Sequence, residues 1–240
     1  MEKLKTLVLI PARGNSKSIK KKNLIKINDK TLIELIFTSA KKSKFVNKVV
    51  CSTEDKNIMK HCKTIGLEFI PRPKILSNDN SDIFFTAQHA IKYLEKKGEY
   101  YNIIILAQPT SPFVNLNSLD KIVKVMSINK NISSCQTIHE TPHNYHYLNT
   151  RILSKKGLVT FKFKNLRKNK TNKQRKSKTF HFGNLVASRI KKLLITKEFF
   201  CEPSFGIVID KFSSFDLDNL NDLKFLNSMK KIKKIKRYAS

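Results

Sequence analysis

Residues 7–23 read Leu7-Val8-Leu9-Ile10-Pro11-Ala12-Arg13-Gly14-Asn15-Ser16-Lys17-Ser18-Ile19-Lys20-Lys21-Lys22-Asn23. The apolar run Leu7 to Ile10 is short enough for one buried strand, and Pro11 stops it. The chain then enters a loop with one glycine, two serines and five cations. Such a loop is suited to phosphate. Gly14 permits positive φ and a close approach of backbone N–H groups to an anion, while Arg13, Lys17 and Lys22 supply full charges. In so lysine-rich a chain, a solvated basic surface loop is the competing reading. Two common phosphate motifs are excluded: Gly-x-Gly-x-x-Gly needs three glycines, and the Walker pattern needs a glycine directly before its lysine, where Ser16 stands.

Outward from this loop, helices and strands alternate. Lys26 to Lys30 reads as a turn, and Thr31 with Glu34 forms a capping box for a helix that buries Leu32, Leu35, Ile36 and Ala40. Asn47 to Ser52 reads as a second strand. Asp55 caps a helix with Ile58, Met59, Cys62 and Ile65 on its inner side and Gly66 as its stop. Leu67 to Ile70 reads as a third strand, and Ser81-Asp82 opens a helix that runs to near Gly98. Ile103 to Ala107 is a fully apolar strand. After a further helix around Ile122, Val123 and Met126, strands are expected at Ile132 to Ile138, Leu158 to Phe163 and Phe205 to Ile209, and a helix at Leu220 to Met229. Lys230 to Arg237 reads as a basic helix end or tail. Strands apolar on both faces, alternating with helices, predict an α/β fold with a mostly parallel, Rossmann-like sheet covered on both sides. Ligands in such sheets bind at the carboxyl ends of the strands. The Arg13 loop, Ser52-Thr53-Glu54-Asp55 and Gln108-Pro109-Thr110-Ser111-Pro112 would all open there.

The chain has 240 residues, consistent with a single domain. No apolar run approaches a membrane span and the N-terminus shows no signal-peptide pattern, so a cytoplasmic protein is expected. Cys51, Cys62, Cys135 and Cys201 have no paired metal spacing and read as buried reduced thiols. The net charge of +30 implies attraction to nucleic acid, anionic membrane or nucleoside triphosphate. No zinc-finger spacing, arginine-glycine tract or RNA-recognition aromatic motif accompanies it, which argues against a nucleic-acid specialist. Phe161 to Lys178 carries nine Lys or Arg and no acid. It reads as an excursion, a partner contact or a polyanion patch. His139, His143 and His146, with Glu140 among them, fit no recognised metal spacing and read as loop histidines at a substrate rim. Asp216 and Asp218 stand two apart beside a strand end, where alternation would turn both carboxylates toward one cation. The alternative there is a turn and a helix cap.

Ile10 to Gly14, Ser16, Lys17, Ile19, Lys22 and Asn23 resemble the first signature of the CMP-sialic acid synthetases, the acylneuraminate cytidylyltransferases, with Asn15 and Ser18 in place of two glycines. Gln108 to Pro112 resembles their second signature, and Arg72-Pro73 ahead of Leu76-Ser77-Asn78-Asp79 a third. Asn172-Lys173-Gln174 and Phe180 to Ala187 are similar to a stretch in the family's dimerisation excursion, with Gly183 and Asn184 in reversed order. Asp216-Leu217-Asp218 resembles its metal-binding Asp-x-Asp.

The resemblance implies activation of a sialic-acid-like 2-keto sugar acid with CTP, by a homodimer that uses Mg²⁺. It implies catalytic roles for Arg13 and Lys17, nucleotide contacts at Gly14, Ser16, Lys22, Asn23, Arg72 and Ser81, and substrate contacts at Gln108, Gln174 and Phe180. Asp216 and Asp218 would hold the metal, and an excursion at about 140–190 would form the dimer. The rival readings are activation of the eight-carbon acid Kdo and a nonenzymatic polyanion binder on the same fold.

Overall fold

The computed structural model describes residues 4–78 and 80–229. In chain order its elements are β1 (Thr6–Pro11), β2 (Lys26–Ile27), β3 (Lys30–Thr31), α1 (Leu32–Lys41), β4 (Lys48–Thr53), α2 (Lys56–Ile65), β5 (Glu68–Pro71), α3 (Ile83–Glu95), β6 (Ile103–Ala107), α4 (Leu116–Ile128), β7 (Ser134–Glu140), β8 (Arg151–Leu153), β9 (Val159–Phe161), α5 (Lys164–Arg167), β10 (Phe180–Arg189), α6 (Ile190–Thr196), β11 (Ser204–Val208) and α7 (Leu220–Met229). Seven of the strands form one sheet in the order β11-β7-β10-β6-β1-β4-β5. All pairings are parallel except those of β10, which runs against both β6 and β7.

The expected α/β architecture is therefore present, and local chemistry accounts for its helices. Thr31, Asp55, Asp82 and Asn115 each accept a backbone N–H at the first turn of α1, α2, α3 and α4, a cap that stabilises a helix by about 1 kcal/mol. Gly66 ends α2 with φ of 70°, as its stop position requires. Where a turn was expected at Lys26 to Lys30, Asn28 adopts φ of 51° and turns the β2–β3 hairpin.

One face of the sheet buries Val8, Ile10, Ile103 and Ile105 against α1, α2 and α4, and the other buries Leu7, Leu9, Ile104 and Leu106 against α3 and α6. A third cluster lies under the loops at the strand ends. It joins Ile19, Ile27, Leu32, Leu35, Phe113, Leu217 and Leu226. Ile19 belongs to the basic loop and Leu217 to the Asp-Leu-Asp segment, so one small core holds two parts of the expected site together.

Within 140–190, Phe180–Arg189 forms a strand of the main sheet, while residues 141–179 lie outside it and carry the β8–β9 hairpin. The four cysteines are buried and unpaired. The segment Lys230 to Arg237 lies outside the described residues.

Candidate active site

The sheet sets where a cleft can form. From β1 the chain proceeds outward through β4 to β5, then crosses back through α3 to β6 on the other side of β1. The loops after β1 and β6 part at this switch point, and a crevice opens between them.

A cleft of ≈ 500 Å³ there is lined by Arg13, Ser16, Lys17, Lys22, Asn23, Arg72, Ser81, Thr86 and Gln108 among others. It adjoins a larger one of ≈ 840 Å³, which shares Arg13, Ser16, Lys17 and Asn23 and adds Gly14, Lys20, Lys21 and Asp55. Residues that follow β1, β4, β5 and β6 thus line one continuous space.

Glu54, which the sequence placed at a strand end without a role of its own, ties these loops together. Its carboxylate accepts the Gly14 N–H at 2.8 Å, the Arg72 guanidinium at 2.9 Å and the Ser77 hydroxyl at 2.8 Å. Arg72 also donates to Thr86 Oγ1 at 3.3 Å, and its buried Nε has no hydrogen-bond partner among the described residues. Burial alone would raise the Glu54 carboxyl, but Arg72, the Gly14 N–H and Ser77 outweigh it and hold it below its ordinary range. The available signal was an acid directly after a strand in a chain with 18 acids against 48 bases.

The geometry corrects the reason given for Gly14. Its φ is not positive. A Cβ on it would lie 2.4 Å from Asp55 Oδ2, so glycine is required there by close approach to the α2 cap. The left-handed residue of the loop is Lys21, with φ of 53° and ψ of 35°. Asn15 and Ser18 stay out of that region, so neither position needs glycine for its conformation. Asn23 is buried and donates to the Arg13 carbonyl at 2.8 Å, bracing the loop across its base.

The paired acids lie at the end of the loop that follows β11. Leu217 points into the small core and is fully buried, which leaves Asp216 and Asp218 exposed on either side of it. The Leu217 N–H donates to the Thr110 carbonyl at 2.8 Å, Ser111 Oγ to Asp216 Oδ1 at 3.0 Å and Lys22 Nζ to the Leu217 carbonyl at 2.9 Å. The loops after β1, β6 and β11 therefore meet here. Burial, followed by the charge of Asp216, raises the Asp218 carboxyl above its ordinary range.

Neither acid caps α7. Asn219 Oδ1 accepts the N–H groups of Asn221 and Asp222, and Asp222 Oδ2 accepts those of Asp218 and Asn219. The turn-and-cap reading thus fails for Asp218. Two adjacent carboxylates with a hydroxyl beside them form a hard oxygen donor set, which fits a small divalent cation that takes its remaining ligands from phosphate and water.

Gln174 and Phe180 do not line this cleft. Gln174 lies in a separate hollow of ≈ 580 Å³ outside the main sheet, with His143, His146, Lys173, Lys176 and Lys178. Phe180 begins β10 opposite Glu140 and is 42% exposed. Among the described residues no three His, Cys, Asp or Glu side chains group to hold a metal, and His146 is instead stacked on Tyr147 with Nε2 3.1 Å from the Ser177 carbonyl.

A parallel sheet with a cation-lined crevice at its switch point defines a nucleotide-binding α/β protein. The profile of the cytidylyltransferase family matches residues 7–184, and the chain belongs to that family of nucleotidyltransferases. An N-acylneuraminate cytidylyltransferase of Escherichia coli is 27% identical over 220 residues, covering 92% of this chain and 51% of the relative, so this chain spans about half of that protein's length. A pseudaminic acid cytidylyltransferase of Campylobacter jejuni is 26% identical over 227 residues, covering 92% of this chain and 94% of the relative. The fold is similar to that of CMP:2-keto-3-deoxy-manno-octonic acid synthetase, with a TM-score of 0.67, 14% identity and coverage of 94% of this chain and 98% of the other.

Proposed function

We propose that the chain transfers CMP from CTP to a sialic-acid-like nine-carbon 2-keto sugar acid, as a cytoplasmic homodimer. The sugar's anomeric hydroxyl attacks the α-phosphorus, a P–O bond to its oxygen forms as its proton passes to solvent, the α–β bridge breaks, and pyrophosphate leaves. The observation that carries this reading is the single cleft that gathers Arg13, Ser16, Lys17, Lys22, Asn23, Arg72, Ser81 and Gln108.

Arg13 and Lys17 stabilise the charge that grows on the leaving pyrophosphate, with Ser16 and Lys22 holding the triphosphate and the Gly14 turn shaping the loop. Asn23, Ser81 and Arg72 hold the cytidine. Arg72 lines the cleft with its guanidinium fixed by Glu54 and Thr86, which presents it to the base in one orientation. Gln108 orients the sugar.

Asp216 and Asp218 would hold Mg²⁺, which when bound neutralises charge on the phosphate oxygens. The excursion at about 140–190 forms the dimer, and Gln174 and Phe180 reach the sugar from the partner subunit. Among the described residues no helix is long and apolar enough to cross a membrane.

The test is pyrophosphate release and CMP-sugar formation from CTP and Mg²⁺ with a panel of eight- and nine-carbon ulosonic acids. Turnover with nine-carbon acids is expected. Turnover with the eight-carbon acid alone would move the assignment to Kdo, and none with any acid would leave a polyanion binder.

A further inference from the structure

In the pairing of β10 with β7, Phe182 lies opposite Ile138 and Val186 opposite Gln136. Three residues of β10, Gly183 to Leu185, therefore face the single residue Thr137, and the strand bulges. Thr137 Oγ1 accepts the N–H groups of both Asn184 and Leu185 at 2.9 Å, which satisfies the donors that the bulge takes out of the ladder. A Cβ at 183 would lie 2.6 Å from that same hydroxyl, so the glycine must precede the asparagine here. The reversed order of the pair follows from this contact.

The bulge turns Asn184 toward the loop after β11. Its Oδ1 accepts from Thr137 Oγ1 at 3.0 Å, and its Nδ2 donates to the Ser213 carbonyl at 2.7 Å. Asn184 and Ser213 are 2% and 0% exposed. Ser213 belongs to a stiff turn: Asp210 accepts the N–H groups of Phe212 and Ser213 and the Ser213 hydroxyl, and the Phe212 ring stacks on Phe113 at 4.5 Å. Asp216 follows three residues on. Thr137 and Asn184 thus fasten the acid-bearing loop to β7 and β10 of the main sheet, three residues before Asp216.

We propose that Asn184 is a positioning residue for the divalent-cation site, setting the place of Asp216 and Asp218 through Ser213 without touching cation or substrate. This rests on the metal role assigned above. Groups hydrogen-bonded directly to metal ligands typically cost 10- to 100-fold in metal affinity when removed, and Asn184, acting through Ser213, belongs at the lower end of that range.

Asn184→Ala should raise the Mg²⁺ concentration for half-maximal turnover about 10-fold or more, while the affinity for CTP without metal stays within about 2-fold, because no nucleotide contact is removed. Independently of activity, hydrogen exchange of the Leu217 amide in the metal-free protein should quicken about 10-fold, the effect expected for losing one buried hydrogen bond. Should Asn184→Ala fail to fold, Asn184→Ser retains a hydroxyl for Thr137, is too short to reach Ser213, and should show the same changes. Asp216→Asn serves as the control.

Unchanged Leu217 exchange and an unchanged Mg²⁺ curve in a folded Asn184 variant, beside a shifted curve in Asp216→Asn, would overturn the positioning role and leave the metal reading intact. An unchanged Mg²⁺ curve in Asp216→Asn would remove the metal reading and this inference with it. A loss of metal-free CTP affinity as large as the loss of turnover would also overturn it, since the effect would then be general.

Discussion

Replacing Glu54 with glutamine would remove the charge that holds three loops while keeping nearly the same shape. The Glu54 and Arg72 side chains are 13% and 4% exposed, and their charged atoms lie 2.9 Å apart. An amide oxygen can still accept from one neighbour, but its NH₂ would face the same donors from which the carboxylate oxygen accepted, and the buried guanidinium loses its counter-charge. Removing one partner of a buried pair costs about 3–5 kcal/mol, and the oxygen that glutamine keeps for the Gly14 N–H places this case near the lower end, about 3 kcal/mol. The pH dependence has a definite sign. The folded-state pKa of Glu54 is lowered, so its stabilisation is present above the unfolded value of about 4.3 and is lost as pH falls through the folded value. Urea unfolding at neutral pH, repeated down to acid, should show the parent losing its advantage over Glu54→Gln at low pH. A loss below about 1 kcal/mol at neutral pH, with parallel acid limbs for the two proteins, would show that the three bonds to Glu54 do not organise the cleft.

Lys17→Ala should lower kcat far more than it raises the KM for CTP, because the lysine meets charge that develops during attack; steady-state kinetics with preserved kcat would remove it from the catalytic pair. Dimerisation through the basic excursion should tighten with CTP or moderate salt, since two like-charged segments approach each other. Light scattering that shows a monomer under every salt and ligand condition would end the shared-cleft proposal.

The parts of the fold that local chemistry dictates were legible in the sequence. Asp55 and Gly66 bracket α2 because a cap and a left-handed stop act within one turn, and Ile103 to Ala107 is a five-residue apolar run of the length and β-branched content of a strand buried on both faces. β10 was read as part of an excursion. The bulge at 183–185 breaks its alternation, and its burial depends on neighbours more than 40 residues away in sequence. The positive φ expected at Gly14 is absent, and the crowding by Asp55 that requires glycine there arises only when α2 packs beside the loop.

The distribution of acids separates the site from the general charge of the chain. Residues 141–197 contain no Asp or Glu, so the cations there face none of their own segment. At the cleft three acids have specific partners: Glu54 holds Arg72 and Gly14, Asp55 caps α2 against Gly14, and Asp216 takes the Ser111 hydroxyl. A basic field alone attracts any polyanion, and salt screens it within about 8 Å at physiological ionic strength. Glu54 sets where Arg72 stands, and the two acids left exposed at 216 and 218 offer a cation a place beside the cleft in a chain of net charge +30. That arrangement suits a nucleoside triphosphate arriving with its metal better than a bare polyanion, and it is the physical ground for preferring an enzyme to a binder.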